Sequence, residues 1–189
     1  VGKMLNHEYE IVQVSTSGDE RKDVPIVELG GIGAFAKEVQ NAVLNDVADL
    51  AVHSAKDLTS VTPDGLEIVA IPLRGDVRDV LIGSTLQDLS YGARVGTGAG
   101  RRRAQLAMLR PDLQFEELRG NIETRIAKAV DFDAIVLANA ALNRLELDSN
   151  ASEILDVDVM LPQVGQGALA IEVRTNDEET KQLVSKIND

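Results

Sequence analysis

The densest run of chemistry-bearing residues is Val95-Gly96-Thr97-Gly98-Ala99-Gly100-Arg101-Arg102-Arg103. A short apolar stretch enters a glycine-rich turn, and the turn opens a helical pattern. Backbone N–H groups at a helix N-terminus attract anions, and glycines let a ligand come close to that backbone. Three arginines in a first turn oppose the helix dipole, a cost that an anion held there would offset. A second run repeats the design. In Leu118-Arg119-Gly120-Asn121-Ile122-Glu123-Thr124-Arg125, Arg119 stands at a strand end and Arg125 one to two turns into the next helix. Guanidinium groups hold carboxylates bidentately, so the two runs together point to a ligand with several carboxylates or phosphates. The plain alternative is that these arginines pair with the protein's own acidic surface. The turn is not a Walker loop, because GxxxxGK followed by Ser or Thr is absent. It also departs from GxGxxG, whose last glycine is replaced by Arg101.

A third candidate closes the stretch Asp49–Asp57, DLAVHSAKD, where a buried strand ends in His53-Ser54-Ala55-Lys56-Asp57. A carboxylate such as Asp57 at a strand end serves as general acid or base, or stabilises a cation. The plain alternative is a Lys56–Asp57 surface pair in a turn. Ser54 has no convincing partner for a nucleophilic triad, and His53 reads as a satisfied structural histidine.

Positioning these residues requires strands that end where the candidates begin. Glu10–Thr16 alternates apolar and polar residues as a strand does, and Phe35–Asn45 carries Phe35, Val39, Ala42 and Val43 on one helical face. Asp49–His53 and Leu66–Ile71 read as buried strands; Val80–Ile82, Arg94–Val95, Gln114–Leu118, Asp133–Ala138 and Ala168–Val173 are further strands. Helices are expected over Arg101–Leu109, stopped by Pro111; over Asn121–Val130, capped by Asn121; over Ala140–Leu145; and over Asp177–Ile187, capped by Asn176. This alternation predicts an α/β fold with mainly parallel sheets. The polar stretches Pro72–Asp79 and Asp156–Gly167 are suited to two crossovers. They divide the chain into a discontinuous first domain, 1–75 plus 162–189, and a second domain, 76–161. A cleft between two such lobes is a common ligand site, and ligands in open α/β sheets bind beyond the carboxyl ends of strands.

Composition narrows the function classes. The 189 residues are 44% hydrophobic but only 3% aromatic, so the core must be aliphatic. There is no cysteine, which removes disulfides, thiolate metal sites and thiol nucleophiles, and the two histidines are too few for a histidine-rich metal site. A net charge of −12 argues against nucleic-acid binding and for solubility. No apolar run approaches the roughly 20 residues that span a bilayer. The start Val1–His7 lacks a signal-peptide pattern, so the cytoplasm is the expected compartment.

Six segments in order resemble the consecutive motifs of porphobilinogen deaminases (hydroxymethylbilane synthases): GGIGAFAKEV at 30–39, HSAKD at 53–57, VGTGAGRRRAQL at 95–106, LRGNIETR at 118–125, DAIVLANAALNRL at 133–145 and LPQVGQGALAIEVR at 161–174. The resemblance implies two lobes of type II periplasmic-binding-protein-like form with two crossovers and the active site between them. It implies an enzyme that condenses four porphobilinogens head to tail, with loss of ammonia, on a dipyrromethane cofactor. Asp57 aligns with the catalytic aspartate, which stabilises the azafulvenium cation and positively charged pyrrole intermediates and assists proton transfers. Lys56, Thr97, Arg101, Arg102, Arg119, Arg125 and Arg144 are implied to bind substrate and cofactor carboxylates. Phe35, Ser54, Asn121 and Gln166 are implied to line the cleft. Porphobilinogen and polypyrrole intermediates are the implied partners, with no nucleic acid, membrane or metal, and a monomer is expected.

The chain also departs from the pattern. The family's N-terminal RxSxLAxxQ element and its third, α+β domain, with the cysteine that anchors the cofactor, are not found. Gly98 and Ala99 replace two hydroxyls of a GTSS turn, and Ile32 replaces the lysine of GGKG. Without a cysteine the chain cannot hold dipyrromethane covalently, and little or no turnover is expected of it alone. Two rival readings remain, a non-catalytic two-lobe anion-binding protein and a degenerate paralogue.

Overall fold

The computed structural model describes residues 1–14 and 36–189. In chain order its elements are α1 (Gly2–Leu5), α2 (Lys37–Leu44), β1 (Leu50–Ser54), β2 (Leu66–Ala70), β3 (Asp79–Ile82), β4 (Arg94–Gly96), α3 (Gly100–Leu109), β5 (Gln114–Glu116), α4 (Ile122–Ala127), β6 (Ala134–Ala138), α5 (Asn139–Arg144), β7 (Glu153–Leu155), β8 (Leu169–Arg174) and α6 (Glu178–Val184). They form two units: Val1–Arg74 with Ala168–Asp189, and Gly75–Gly167.

In the first unit the sheet order is β1-β8-β2, with β8 antiparallel to both neighbours. The outer strand β1 buries alternate residues, as a period of two requires, whereas β2 buries only its two ends, with its register shifting between Ile68 and Ala70. Ala51 and His53 of β1 and Leu66 and Ala70 of β2 point inward, while Val52 and Ile68 are exposed. These strands are therefore half-buried, not wholly buried as their apolar content suggested. Only the central β8 is covered along its length. Val43 of α2 packs on Ala51 and Leu66, and Val184 of α6 packs on Ala70, Ile171 and Val173. The cap of α6 is Asp177, not the expected Asn176; its carboxylate accepts from the Thr180 backbone N–H at 3.0 Å and from Arg174 at 2.8 Å. An amide in its place would offer one uncharged acceptor oxygen where Asp177 uses two, one for the helix N–H and one for the guanidinium.

The strand expected over Glu10–Thr16 does not form in its described part. Residues 10–14 lie outside any strand, and Ile11 is 81% exposed. Alternation alone makes no strand without a neighbour to take its N–H and C=O groups. Ser15 and Thr16 lie outside the described residues, as does Phe35.

In the second unit the sheet order is β5-β4-β6-β3-β7. The strands β4, β5 and β6 are parallel, whereas β3 runs antiparallel to both β6 and β7. Every residue of β3 and β6 is buried, because both sheet faces are covered. Leu81, Val136 and Val95 meet Leu106 and Met160 on one face. Val80, Ile135 and Leu137 meet Leu118 and Leu142 on the other. Each fully buried Leu or Ile there stabilises the fold by roughly 1.5–3 kcal/mol.

The α/β class therefore stands, but mainly parallel sheets do not: among the described residues four of the six strand pairings are antiparallel. In the first unit this follows from the discontinuous chain. β8 enters the first sheet between two strands already laid down, running against both. The strand β7, within a stretch of mixed polarity, was not foreseen.

The two ends of the second unit lie side by side, with the Gly75 N–H donating to Gly167 O at 2.9 Å. Gly167 is held at φ +84°, and a Cβ there would come within 2.5 Å of Gly75 O. Only glycine fits this close approach.

Candidate functional site

The second unit gathers its candidates at one end of its sheet. Because β4, β5 and β6 are parallel, their carboxyl ends share an edge, and Asp79, the first residue of β3, stands opposite Ala138 at that same end. The Thr97 turn after β4 and the turn after β5 are neighbours: Thr97 N–H donates to Glu116 O at 2.9 Å, and a Cβ on Gly98 would lie 3.0 Å from Leu118 O. The buried Thr97 hydroxyl accepts from the Ala99 N–H at 3.2 Å, which shapes the entry to α3. Asn121 caps α4, its side-chain oxygen accepting from Thr124 N–H at 2.8 Å. Arg119 lies 3.8 Å from the Glu117 carboxylate, and Arg125 donates to Gly120 O at 2.7 Å. The glycine-rich turn and the arginine-bearing turns thus come together as the sequence suggested.

Arg144, at the last turn of α5, donates to Gly167 O at 2.5 Å. Burial lowers its pKa from the ordinary arginine value. Just before β3, the Asp76 carboxylate accepts from the Arg78 backbone N–H and guanidinium and from Asn139 Nδ2. These donors hold it well below the usual carboxylate range, the Arg78 side chain contributing most.

Two of the expected site residues are enclosed within the second unit. Arg102 is only 5% exposed. Its Nε and Nη2 donate to Asp79 Oδ1 at 3.1 and 2.8 Å, and its Nη1 to Val136 O at 3.0 Å. A guanidinium so enclosed supports the fold. Gln166 likewise does not line an open surface. It is fully buried, with Nε2 donating to Val77 O at 2.7 Å and to Asp79 Oδ1 at 2.9 Å. Asp79, which joins them, was missed. Burial pulls its pKa up, but the charge and hydrogen bonds of Arg102, followed by Arg101 and Gln166, outweigh it and leave the carboxyl below its ordinary value. The available signal was an excess of arginines in a first helical turn, which calls for a carboxylate partner as well as for a ligand.

Arg101 is placed differently. One Nη donates to Asp79 Oδ2 at 2.6 Å and the other to the Leu161 carbonyl, while Nε is shielded from solvent and has no hydrogen-bond partner. A buried donor left without a partner is costly; the exposed part of this guanidinium, 24% of the side chain, is what a ligand could reach. Two guanidiniums share one carboxylate here, so a positive charge is left over beside the start of α3.

In the first unit, Ser54 ends β1 opposite Leu169, and Lys56 and Asp57 lie in the single 3-10 turn Ala55–Asp57. Ser54 and Asp57 are exposed and Lys56 is partly buried. The turn is tied down by the Ala55 N–H donating to Ala168 O at 3.1 Å. His53 is buried and bonded to Glu172 at 3.1 Å, and Gln40 bonds the other Glu172 oxygen. It is the structural histidine that the sequence suggested.

Among the described residues no group of three or more acids and histidines is arranged to hold a metal, and no helix is long and apolar enough to cross a membrane. The family model "Porphobilinogen deaminase, dipyromethane cofactor binding domain" matches residues 1–182. The chain belongs to the porphobilinogen deaminase family. A porphobilinogen deaminase of Brevibacillus brevis is 47% identical over 187 residues, covering 96% of this chain and 60% of that relative. One of Syntrophotalea carbinolica is 48% identical over 184 residues, covering 95% and 58%. The chain thus spans about 60% of the length of the curated family members it matches. Among solved structures, a putative methionine-binding lipoprotein of Bacillus subtilis aligns over 80% of this chain and 74% of its own, at TM-score 0.49 and 14% identity.

Proposed function

We propose that the chain carries the substrate- and cofactor-binding portion of a porphobilinogen deaminase (hydroxymethylbilane synthase), a transferase that joins four porphobilinogens head to tail with loss of ammonia. The observation that carries this reading is the pairing of the Thr97 and Arg119 turns at one sheet end, with the part-exposed guanidinium of Arg101 at the start of α3. Each pyrrole of substrate or product bears two carboxylates, so the ligand is a polyanion. Family membership favours this reading over a non-catalytic anion binder or a degenerate paralogue. The protein works in the cytoplasm as a monomer in this reading, on porphobilinogen and polypyrrole intermediates.

The residues present fit a dipyrromethane through the same donors, since it is itself a polycarboxylate. When bound, that group supplies the pyrrole on which the chain is extended. The chain has no cysteine, so its own residues supply no thioether anchor. Arg101, Arg119, Arg125 and Arg144 hold carboxylates and set the orientation of the rings. Arg102 and Gln166 keep Arg101 and the segment around Leu161 in place. Lys56 adds a cation to the Asp57 turn. Asp57 stabilises the positive charge that develops as ammonia leaves substrate, and it moves the proton released when the new bond forms. Phe35, Ser54 and Asn121 complete the reading as residues beside the ligand.

Calorimetric titration of the purified chain with porphobilinogen tests the ligand assignment. Binding is expected, and Arg125→Gln is expected to weaken it about tenfold, the loss of one charge-assisted contact. A wild-type chain that binds acetate and porphobilinogen equally weakly would sink the assignment.

A further inference from the structure

Asp79 opens β3, and no motif singled it out. It is fully buried, yet four donors converge on it. Arg102 Nε and Nη2 and Gln166 Nε2 reach Oδ1, and Arg101 Nη2 reaches Oδ2. Three pieces of the second unit meet there: the start of β3, the first turn of α3 and the segment that ends the unit. That segment is also clipped to α3 at Leu161, whose N–H donates to Gln105 Oε1 at 2.8 Å and whose carbonyl accepts from Gln105 Nε2 at 3.1 Å and from Arg101.

The two arginines are treated unequally. Arg102 is enclosed, with every strong contact internal. Arg101 keeps 24% of its side chain exposed and shares a single oxygen of Asp79. A long side chain that is free before binding loses rotamer freedom on binding, whereas one already held loses little.

We propose that Asp79 is a positioning residue, which holds Arg101 in the orientation that receives a substrate carboxylate. Through Arg102 and Gln166 it also fixes the helix turn and the terminal segment on either side of that guanidinium. The inference rests on the reading of the ligand as porphobilinogen.

The test separates positioning from mere folding. Asp79→Asn alone leaves two guanidiniums without a counter-charge, so the neutral pair Asp79→Leu with Arg102→Met is used, which removes opposite charges together. Porphobilinogen affinity is measured by calorimetry for the wild-type chain, Arg101→Gln, the neutral pair and the triple variant, with cooperative melting as the check on folding. Arg101→Gln and the neutral pair are each expected to weaken binding about tenfold, the scale of a charge-assisted hydrogen bond. The triple variant is expected to be no worse than either, because both changes disable one device. A folded neutral pair with wild-type affinity, or losses that multiply in the triple variant, would overturn the proposal.

A second readout needs neither ligand nor a folded Asp79 variant. In the nitrogen-15 spectrum of the wild-type chain, the Arg101 guanidinium (identified by its loss in Arg101→Gln) should show separate Nη signals from hindered rotation. One averaged signal would mean that Asp79 does not hold the side chain, whatever the affinities. If wild-type chain binds no porphobilinogen while the Arg101 signals are separate, the ligand reading fails and the anchoring by Asp79 stands.

Discussion

Asp57→Asn, in a hybrid that joins this chain to the remaining length of the Brevibacillus brevis relative, is expected to lower kcat on porphobilinogen by about 10²- to 10⁴-fold, the range for a positioned acid–base group. The hybrid supplies what 60% coverage of that relative leaves out. KM should change little, because Asp57 acts on charge that develops during reaction, while the carboxylates of the ground state are held by arginines. Asp57 suits this task by position. It follows β1 in the 3-10 turn Ala55–Asp57, is exposed, and is tied to a rigid strand end through the Ala55–Ala168 hydrogen bond. Arg125→Gln in the same hybrid should show the opposite split, a raised KM. Steady-state kinetics of the two variants side by side makes the comparison. An Asp57→Asn hybrid with near wild-type kcat would assign the chemistry elsewhere.

Arg102→Met should destabilise the second unit by about 3 kcal/mol, since breaking a buried pair leaves an acid under-compensated. Methionine keeps most of the packed volume, so the loss reports charge more than cavity. The pH dependence identifies the cause. In the wild-type chain Asp79 has a lowered folded pKa, so its contribution is fully present above the ordinary carboxylate range and fades as pH falls through that lowered value. In Arg102→Met its largest lowering influence is gone and burial pulls the pKa up. The variant then gains relative stability as acid protonates Asp79. Urea unfolding at several pH values should therefore show the widest gap between the two proteins near neutrality and a narrower one toward pH ~4, the ordinary range for Asp. A gap independent of pH would mean that Arg102 matters only for packing.

The residues show what a sequence reveals and what it hides. Asn121 was legible as a cap because its role is local: the amide three residues on is its partner. The same locality made the α3 start, with Pro111 beyond its end, readable. The arginine run hid more. Arg101 and Arg102 look equivalent in sequence, yet one turns toward Leu161 and Asp79 with a donor left open, and the other is enclosed. That difference depends on Asp79, 23 residues earlier in the chain. No local pattern encodes such a partner. Gln166 was readable as a motif residue, but its burial against Val77 and Asp79 follows from where the chain returns. Strand direction was hidden for a similar reason. β8 reads as an ordinary apolar strand, and its antiparallel place between β1 and β2 is set by an excursion of the chain through another unit. The short β7 carries only Glu153-Ile154-Leu155 and exists by pairing with β3. The α6 cap moved by one residue because Asp177 also meets Arg174, a contact between a strand end and a helix start.

The most direct test of porphobilinogen chemistry is the ammonia released by the wild-type hybrid, read against a pyrrole colour reaction on the same sample. The expected result is ammonia release that tracks porphobilinogen consumed one for one, with a tetrapyrrole as product. A folded hybrid that binds porphobilinogen but releases no ammonia would contradict it, leaving a polycarboxylate-binding protein in place of a transferase.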